Sequence, residues 1–373
     1  MEPFKLERHF AKYEFKAKWM ASSSDAETMT VSELLSFEEG DSPQRVNAVL
    51  GALRLGYSES TGIPELREAI SKTYLSVNSD QILAHCGGEE PIFNFFHACL
   101  NPGDHVVVHF PSYQSLYTVP RSIGCEVSLW QTTFENNWQL NIDELKTLLR
   151  PNTKAVIVNS PHNPTGFVMG KKQQEDLIQV LSEKNIMLFS DEIYRGLEMD
   201  ESNRLPAACD LYESAVSLGG LAKSYGLAGL RIGWIATRNE KILKKMASQK
   251  DYTTICNPLI TETLAVTAVR HREKIISRNV DLVRQNWGLV ESFFKRHSQH
   301  FEVVPPKGGT MIFPRARASF DIQKFISSFL DQESVLVVAG DCFDMPACYF
   351  RLGLGRKNFP EVLAKLEQHL AKI

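Results

Sequence analysis

The chain has 373 residues, 43% hydrophobic and 23% charged, which is enough apolar material for a large core and two domains of a soluble globular protein. A formal net charge of −3 argues against a basic surface for nucleic acid or anionic membrane, and no apolar run reaches the length of a membrane span. Seven scattered cysteines, an odd number with no CxxC pair, argue against a disulfide framework or a zinc site, and no metal is expected.

In chain order, Met1-Glu2-Pro3-Phe4-Lys5-Leu6-Glu7 lacks the basic-then-apolar layout of a secretory signal, so a cytoplasmic location is expected. Gly87-Gly88-Glu89-Glu90 reads as the opening of a helix, a place suited to phosphate. Apolar runs at His105 to Phe110, Ala155 to Asn159, Ile186 to Ser190, Ala215 to Leu218 and Ile232 to Thr237 predict strands. Their continuous Val/Ile character suits strands buried on both faces of a mostly parallel sheet. Lys171 to Lys184 predicts a crossover helix between two of them. Long helices are expected from about Ile260 to His297. Strand-like runs around another helix follow in Phe301 to Arg315 and Ser334 to Leu354, a change to α+β character. The expected organisation is a large domain over residues 40–262, and a small domain built from 1–39 and 263–373.

Polar motifs fall just after the strand ends, where open α/β sheets bind ligands. They are Asn159-Ser160-Pro161-His162-Asn163-Pro164-Thr165-Gly166, Ser190-Asp191-Glu192-Ile193-Tyr194, and the run from Gly219 through Lys223 to Arg231 and Trp234. Taken singly, each has a bland reading. A lysine after a glycine pair is usually solvated, an aspartate after a strand caps a helix or joins a salt bridge, and Asn-Pro-Thr-Gly is a turn. Together, across roughly Val31 to the C-terminus, they resemble the fold-type I pyridoxal-phosphate (PLP) enzymes of the class I/II aminotransferase family. The resemblance implies a seven-stranded, mostly parallel α/β sheet with helices on both faces, a smaller α+β domain and a homodimer with shared active sites.

It also implies roles. Lys223 would hold the cofactor as a Schiff base, and Asp191 would keep its ring nitrogen protonated. Arg231, eight residues after the lysine, would grip the phosphate with Gly88 and Glu89 at the helix start and with Tyr57 of the neighbouring subunit. Tyr113 would stack on the ring, Asn163 and Tyr194 would reach its hydroxyl, and Arg351 would bind the substrate α-carboxylate. The chain departs from the family pattern at Gly220 and Ala222, where phosphate-binding serines are common, and at Glu89, a frequent Ser/Thr place. That shifts the expected phosphate grip toward Arg231, backbone N–H groups and Tyr57.

Leu6 to Phe15, Ala21 to Glu27 and Val31 to Leu35 resemble the opening of capreomycidine-synthase-type enzymes, aminotransferase-fold proteins that cyclise hydroxylated arginines. This segment would cap the substrate pocket as a lid. Its carboxylates, Glu7 and Asp25 foremost and also Glu14 and Glu27, could pair with a guanidinium side chain or stand as solvated helix charges. The resemblance leaves several readings open. One is a PLP cyclodehydratase that works through Schiff-base and quinonoid chemistry and forms an enduracididine- or capreomycidine-type ring. Another is an ordinary aminotransferase. A third is a non-catalytic PLP-binding regulator.

Overall fold

The computed structural model describes residues 1–38, 48 and 50–372. At its centre lies a seven-stranded sheet of β1 (Ile82–Cys86), β2 (His105–Phe110), β3 (Glu126–Gln131), β4 (Thr153–Asn159), β5 (Met187–Asp191), β6 (Ala215–Gly220) and β7 (Ile232–Ala236). The spatial order is β1-β7-β6-β5-β4-β2-β3. Strands β2 to β6 pair in parallel, while β7 runs antiparallel to both β6 and β1. Val106, Val107 and Val108 in β2 and Ala155 to Ile157 in β4 are fully buried, as expected for strands covered on both faces.

The covering helices follow from local signals. The helix Lys171–Lys184 buries Leu177, Val180 and Leu181, an i, i+3, i+4 stripe facing the core. At its start the Gln173 side chain accepts from the Gly170 N–H at 3.0 Å, and it stops at Asn185 in the left-handed conformation (φ 54°). On the other face, the helix Glu89–Cys99 sets Phe95 against Phe189 of β5, ring centroids 4.6 Å apart.

Beyond the sheet, the expected helical stretch forms two helices, Leu259–Arg270 and Arg272–Arg296, joined at His271. A three-stranded antiparallel sheet follows, with Phe350–Gly353 between Met311–Ile312 and Val338–Ala339. The start of the chain joins this C-terminal layer, because Trp19–Met20 pairs in parallel with Val335–Leu336. The expected boundary near residue 40 lies outside the described residues. Among the described residues, no helix is long and apolar enough to cross a membrane.

Candidate active site

At the ends of β4, β5 and β6, beneath the N-terminal segment, lies a cavity of about 640 Å³. Eleven of the fourteen residues given a candidate role from the sequence line it: Glu7, Glu14, Asp25, Gly88, Glu89, Tyr113, Asn163, Asp191, Tyr194, Lys223 and Arg231. Arg351 lies just behind the wall, in contact with Asn163. Tyr57 does not reach the cavity of its own chain; it stands on a loop with 90% of its surface exposed.

The floor is set by sheet register. Asp191 ends β5 opposite Asn159 of β4. The Asn159 amide donates to the Asp191 carbonyl at 2.9 Å, and its side-chain oxygen accepts from the Asn163 N–H at 2.7 Å. The Asp191 carboxylate is buried and, among the described residues, accepts only the Ile193 N–H, at 3.1 Å. Burial pushes its pKa up to about 7. A buried carboxyl in this state would be stabilised as the carboxylate by a protonated ring nitrogen delivered from the cavity side.

Lys223 follows β6, and its amine donates to Ser24 Oγ at 2.8 Å. Burial lowers the amine's pKa, Asp25 and Glu7 raise it, and Arg351 and Arg231 lower it. Tyr194 is buried; its hydroxyl approaches Ser24 without a well-formed hydrogen bond, and burial raises its pKa.

Groups able to bind a phosphate converge at the other end. Gly88 caps the helix Glu89–Cys99, whose first N–H groups have no intrahelical partner. Arg231 adopts a left-handed backbone (φ 51°) and packs against Gly87, where a Cβ would lie 2.2 Å from its Nη2. Its guanidinium is open to an anion: among the described residues it donates a hydrogen bond to the Ala228 carbonyl alone, at 3.2 Å. A serine at Gly220 would drive its Cβ to 2.6 Å from Ile193, which accounts physically for one departure from the family pattern. Glu89 keeps one carboxylate oxygen buried without a hydrogen bond, and burial pushes its pKa up to about 7.

Arg351 is fully buried. It donates to Asn163 Oδ1 at 3.0 Å and to the Ser22 carbonyl at 2.8 Å, while its Nε has no partner. Among the described residues no carboxylate pairs with it, so a ligand carboxylate would supply the missing counter-charge.

The roof is the segment Ala21–Glu27, whose backbone lies flat on three glycines. A Cβ at Gly353 would meet the Ser23 oxygen at 2.0 Å, one at Gly355 the Asp25 oxygen at 2.3 Å, and one at Gly226 (φ 68°) the Glu27 oxygen at 2.5 Å. Asp25, read from the sequence as a substrate carboxylate, is engaged by Arg356 of this chain, whose Nη2 lies 2.9 Å from both oxygens. Glu27 points away from the cavity, accepting the Lys357 N–H at 2.8 Å. Glu7 accepts from the Tyr113 hydroxyl at 2.9 Å. Ser24 and Arg356 were not anticipated from the sequence. The Ser22-Ser23-Ser24 run was visible, but nothing local indicated which hydroxyl meets the lysine.

These groups fit PLP: an acid for the ring nitrogen, an amine for the aldehyde, and a helix start with an arginine for the phosphate. The model of the aminotransferase class I and II family matches residues 39–365. The aspartate aminotransferase of Thermotoga maritima is 30% identical over 325 residues, covering 85% of this chain and 82% of that protein. The capreomycidine synthase of Streptomyces vinaceus is 28% identical over 363 residues, covering 95% and 90%. A solved PLP-dependent aminotransferase from Streptococcus suis superposes with TM-score 0.93 at 29% identity, covering 100% of this chain and 98% of that one. The solved PLP-dependent cyclase OrfR superposes with TM-score 0.89 at 27% identity, covering 100% and 98%. The chain belongs to the aminotransferase class I and II family and is an enzyme that uses pyridoxal phosphate.

Proposed function

We propose that this enzyme cyclises a hydroxylated arginine by loss of water, giving a cyclic guanidino amino acid of the enduracididine or capreomycidine type. The observation that carries the reading is the acidic end of the cavity. Glu7, Glu14 and Asp25 all line it and lie close enough that Asp25 and Glu7 add to burial in raising the Glu14 pKa. Three carboxylates beside Lys223 suit a guanidinium side chain. The similarity to a capreomycidine synthase over 95% of the chain supports the same reading.

In this reading Lys223 carries the cofactor, Asp191 faces its ring nitrogen, and Asn163 and Tyr194 face its ring hydroxyl. Tyr113 covers the ring. Arg231 and the N–H groups of Gly88 and Glu89 hold the phosphate, joined by Tyr57 from a second copy in a homodimer. The bound cofactor supplies an electron sink that makes the substrate Cα–H acidic. Arg351 takes the α-carboxylate and Lys223 removes the Cα proton. A β-hydroxyl then leaves as water, while a γ-hydroxyl leaves after Lys223 has also removed a Cβ proton that is later returned. A guanidine nitrogen bonds to the carbon the hydroxyl left and releases its N–H proton, which balances the proton lost with the water. Lys223 returns a proton to Cα, so the α-nitrogen is kept.

Transamination is the second reading. Arg356 already gives Asp25 a guanidinium partner, and an aspartate aminotransferase is as similar as the synthase. Product mass separates the two. Purified enzyme is given β- or γ-hydroxyarginine labelled at the α-nitrogen, with and without a keto acid. A product lighter by one water that keeps the label, formed without keto acid, is the expected result. Label appearing on the keto acid overturns it.

A further inference from the structure

The segment over the cavity touches the reacting groups from both sides. Ser22 accepts the Arg351 guanidinium through its carbonyl at 2.8 Å, and two residues later Ser24 Oγ meets the Lys223 amine at 2.8 Å. The Ser24 backbone is itself fixed, because its carbonyl accepts from the Thr310 hydroxyl at 2.8 Å. Ser22 is fixed as well, its hydroxyl donating to the Arg351 carbonyl at 2.6 Å and accepting the Val338 N–H at 2.8 Å. Contacts from Thr310, Val338 and Arg351 thus hold this segment where Ser24 meets the amine of a lysine 199 positions away.

We propose that Ser24 is a positioning residue for Lys223: its hydroxyl holds the free amine in place and accepts a hydrogen bond from the ammonium formed when the amine takes the Cα proton. This rests on the role assigned to Lys223 above. The C–H bond breaks, an N–H bond forms on Lys223, and one ammonium hydrogen stays directed at Ser24 Oγ. The serine's own O–H is then free to point toward the Tyr194 hydroxyl, which has no well-formed bond of its own. Asp25 and Glu7 from the N-terminal segment, Arg351 and Arg231 also act on the amine, and Asp191 lies within electrostatic reach of it. Of the groups around the amine, Ser24 makes its short side-chain hydrogen bond. Because Ser24 belongs to the roof, the base is fully assembled only while residues 21–27 cover the cavity.

The test uses wild type, Ser24→Ala and Ser24→Thr. Cofactor-free protein is acetylated across a pH series, and modification of Lys223 is read by peptide mass spectrometry. Losing an acceptor for the ammonium should lower the midpoint by about one pH unit in Ser24→Ala, and Ser24→Thr should restore it. In the holoenzyme, exchange of the Cα proton of a bound amino acid into D2O should slow about tenfold to a hundredfold in Ser24→Ala, with binding affinity nearly unchanged. A midpoint and exchange rate matching wild type would overturn the proposal. So would faster labelling at every pH without a midpoint shift, which would mean that the roof had merely opened. Loaded cofactor should block labelling at Lys223. If it does not, the assignment of that lysine falls, while the Ser24 shift is still read on cofactor-free protein.

Discussion

Arg356 Nη2 sits 2.9 Å from both carboxylate oxygens of Asp25, so the chain lays one of its own guanidinium groups on the acid of its roof. Both side chains are largely shielded, at 25% and 15% exposure, and the pair ties the N-terminal segment to the turn after Phe350–Gly353. Arg356→Gln should loosen that tie. The expected result is an apparent substrate affinity about fivefold weaker, the equivalent of about 1 kcal/mol, with kcat little changed. Steady-state kinetics and protease sensitivity of residues 21–27 check it; tighter binding in the variant would instead show that Arg356 competes with the substrate.

The contribution of Asp191 to the stability of the cofactor-free protein should fall between about pH 4 and pH 7. Asp191 holds its proton in the fold up to about pH 7, while the unfolded chain releases it near the ordinary value of 3.8. The native state therefore binds more protons in that window, and stability falls as pH rises through it. Glu89, also raised to about 7, acts in the same direction. Asp191→Asn should remove part of the loss, so its melting temperature relative to wild type should be higher at pH 8 than at pH 5. The same variant should lose at least a hundredfold in holoenzyme turnover, because the ring nitrogen would no longer face a charge.

Gly353→Ala places a Cβ 2.0 Å from the Ser23 carbonyl oxygen, backbone against backbone, with no flexible side chain to yield. A cost of about 2 kcal/mol is expected, or a displaced roof. Thermal denaturation reads the first outcome and loss of substrate binding the second. Gly229→Ala, with nothing within 4 Å of its Cβ, serves as the control.

Tyr57 is exposed in the isolated chain, so Tyr57→Ala should leave the melting temperature of the cofactor-free protein nearly unchanged. If it completes a neighbouring site, the variant should release cofactor roughly tenfold more readily on dialysis against phosphate. Unchanged retention would remove Tyr57 from the phosphate site.

What the sequence made legible was the part whose signals are local. The helix Lys171–Lys184 was read to its observed ends because its apolar stripe and both ends are written within the same residues. Strand β4 was read from its Val/Ile run with an error of two residues. Strand β3 was not picked out: Glu126–Gln131 is an edge strand, exposed at both ends, without a continuous apolar run. In the C-terminal layer most strands are two residues long and exist through their partners, so only their general region was foreseeable. Residues now around the cofactor site were named from motifs close to the strand ends. The Ser24–Lys223 contact spans 199 positions and the Asp25–Arg356 pair 331, and no periodicity or spacing points to either.

The roof has a consequence for how such an enzyme changes its chemistry. The groups proposed to face the cofactor stand on loops of the central sheet, whereas Glu7, Glu14 and Asp25 stand on the first twenty-five residues. On the proposed roles, substrate preference and cofactor handling are written in separate stretches of chain that meet at one peptide. Replacing the leading segment, while keeping Gly226, Gly353 and Gly355 as its bed, is a route to a new side-chain preference that leaves the electron sink intact. The same arrangement would let a lineage diversify by editing its beginning alone.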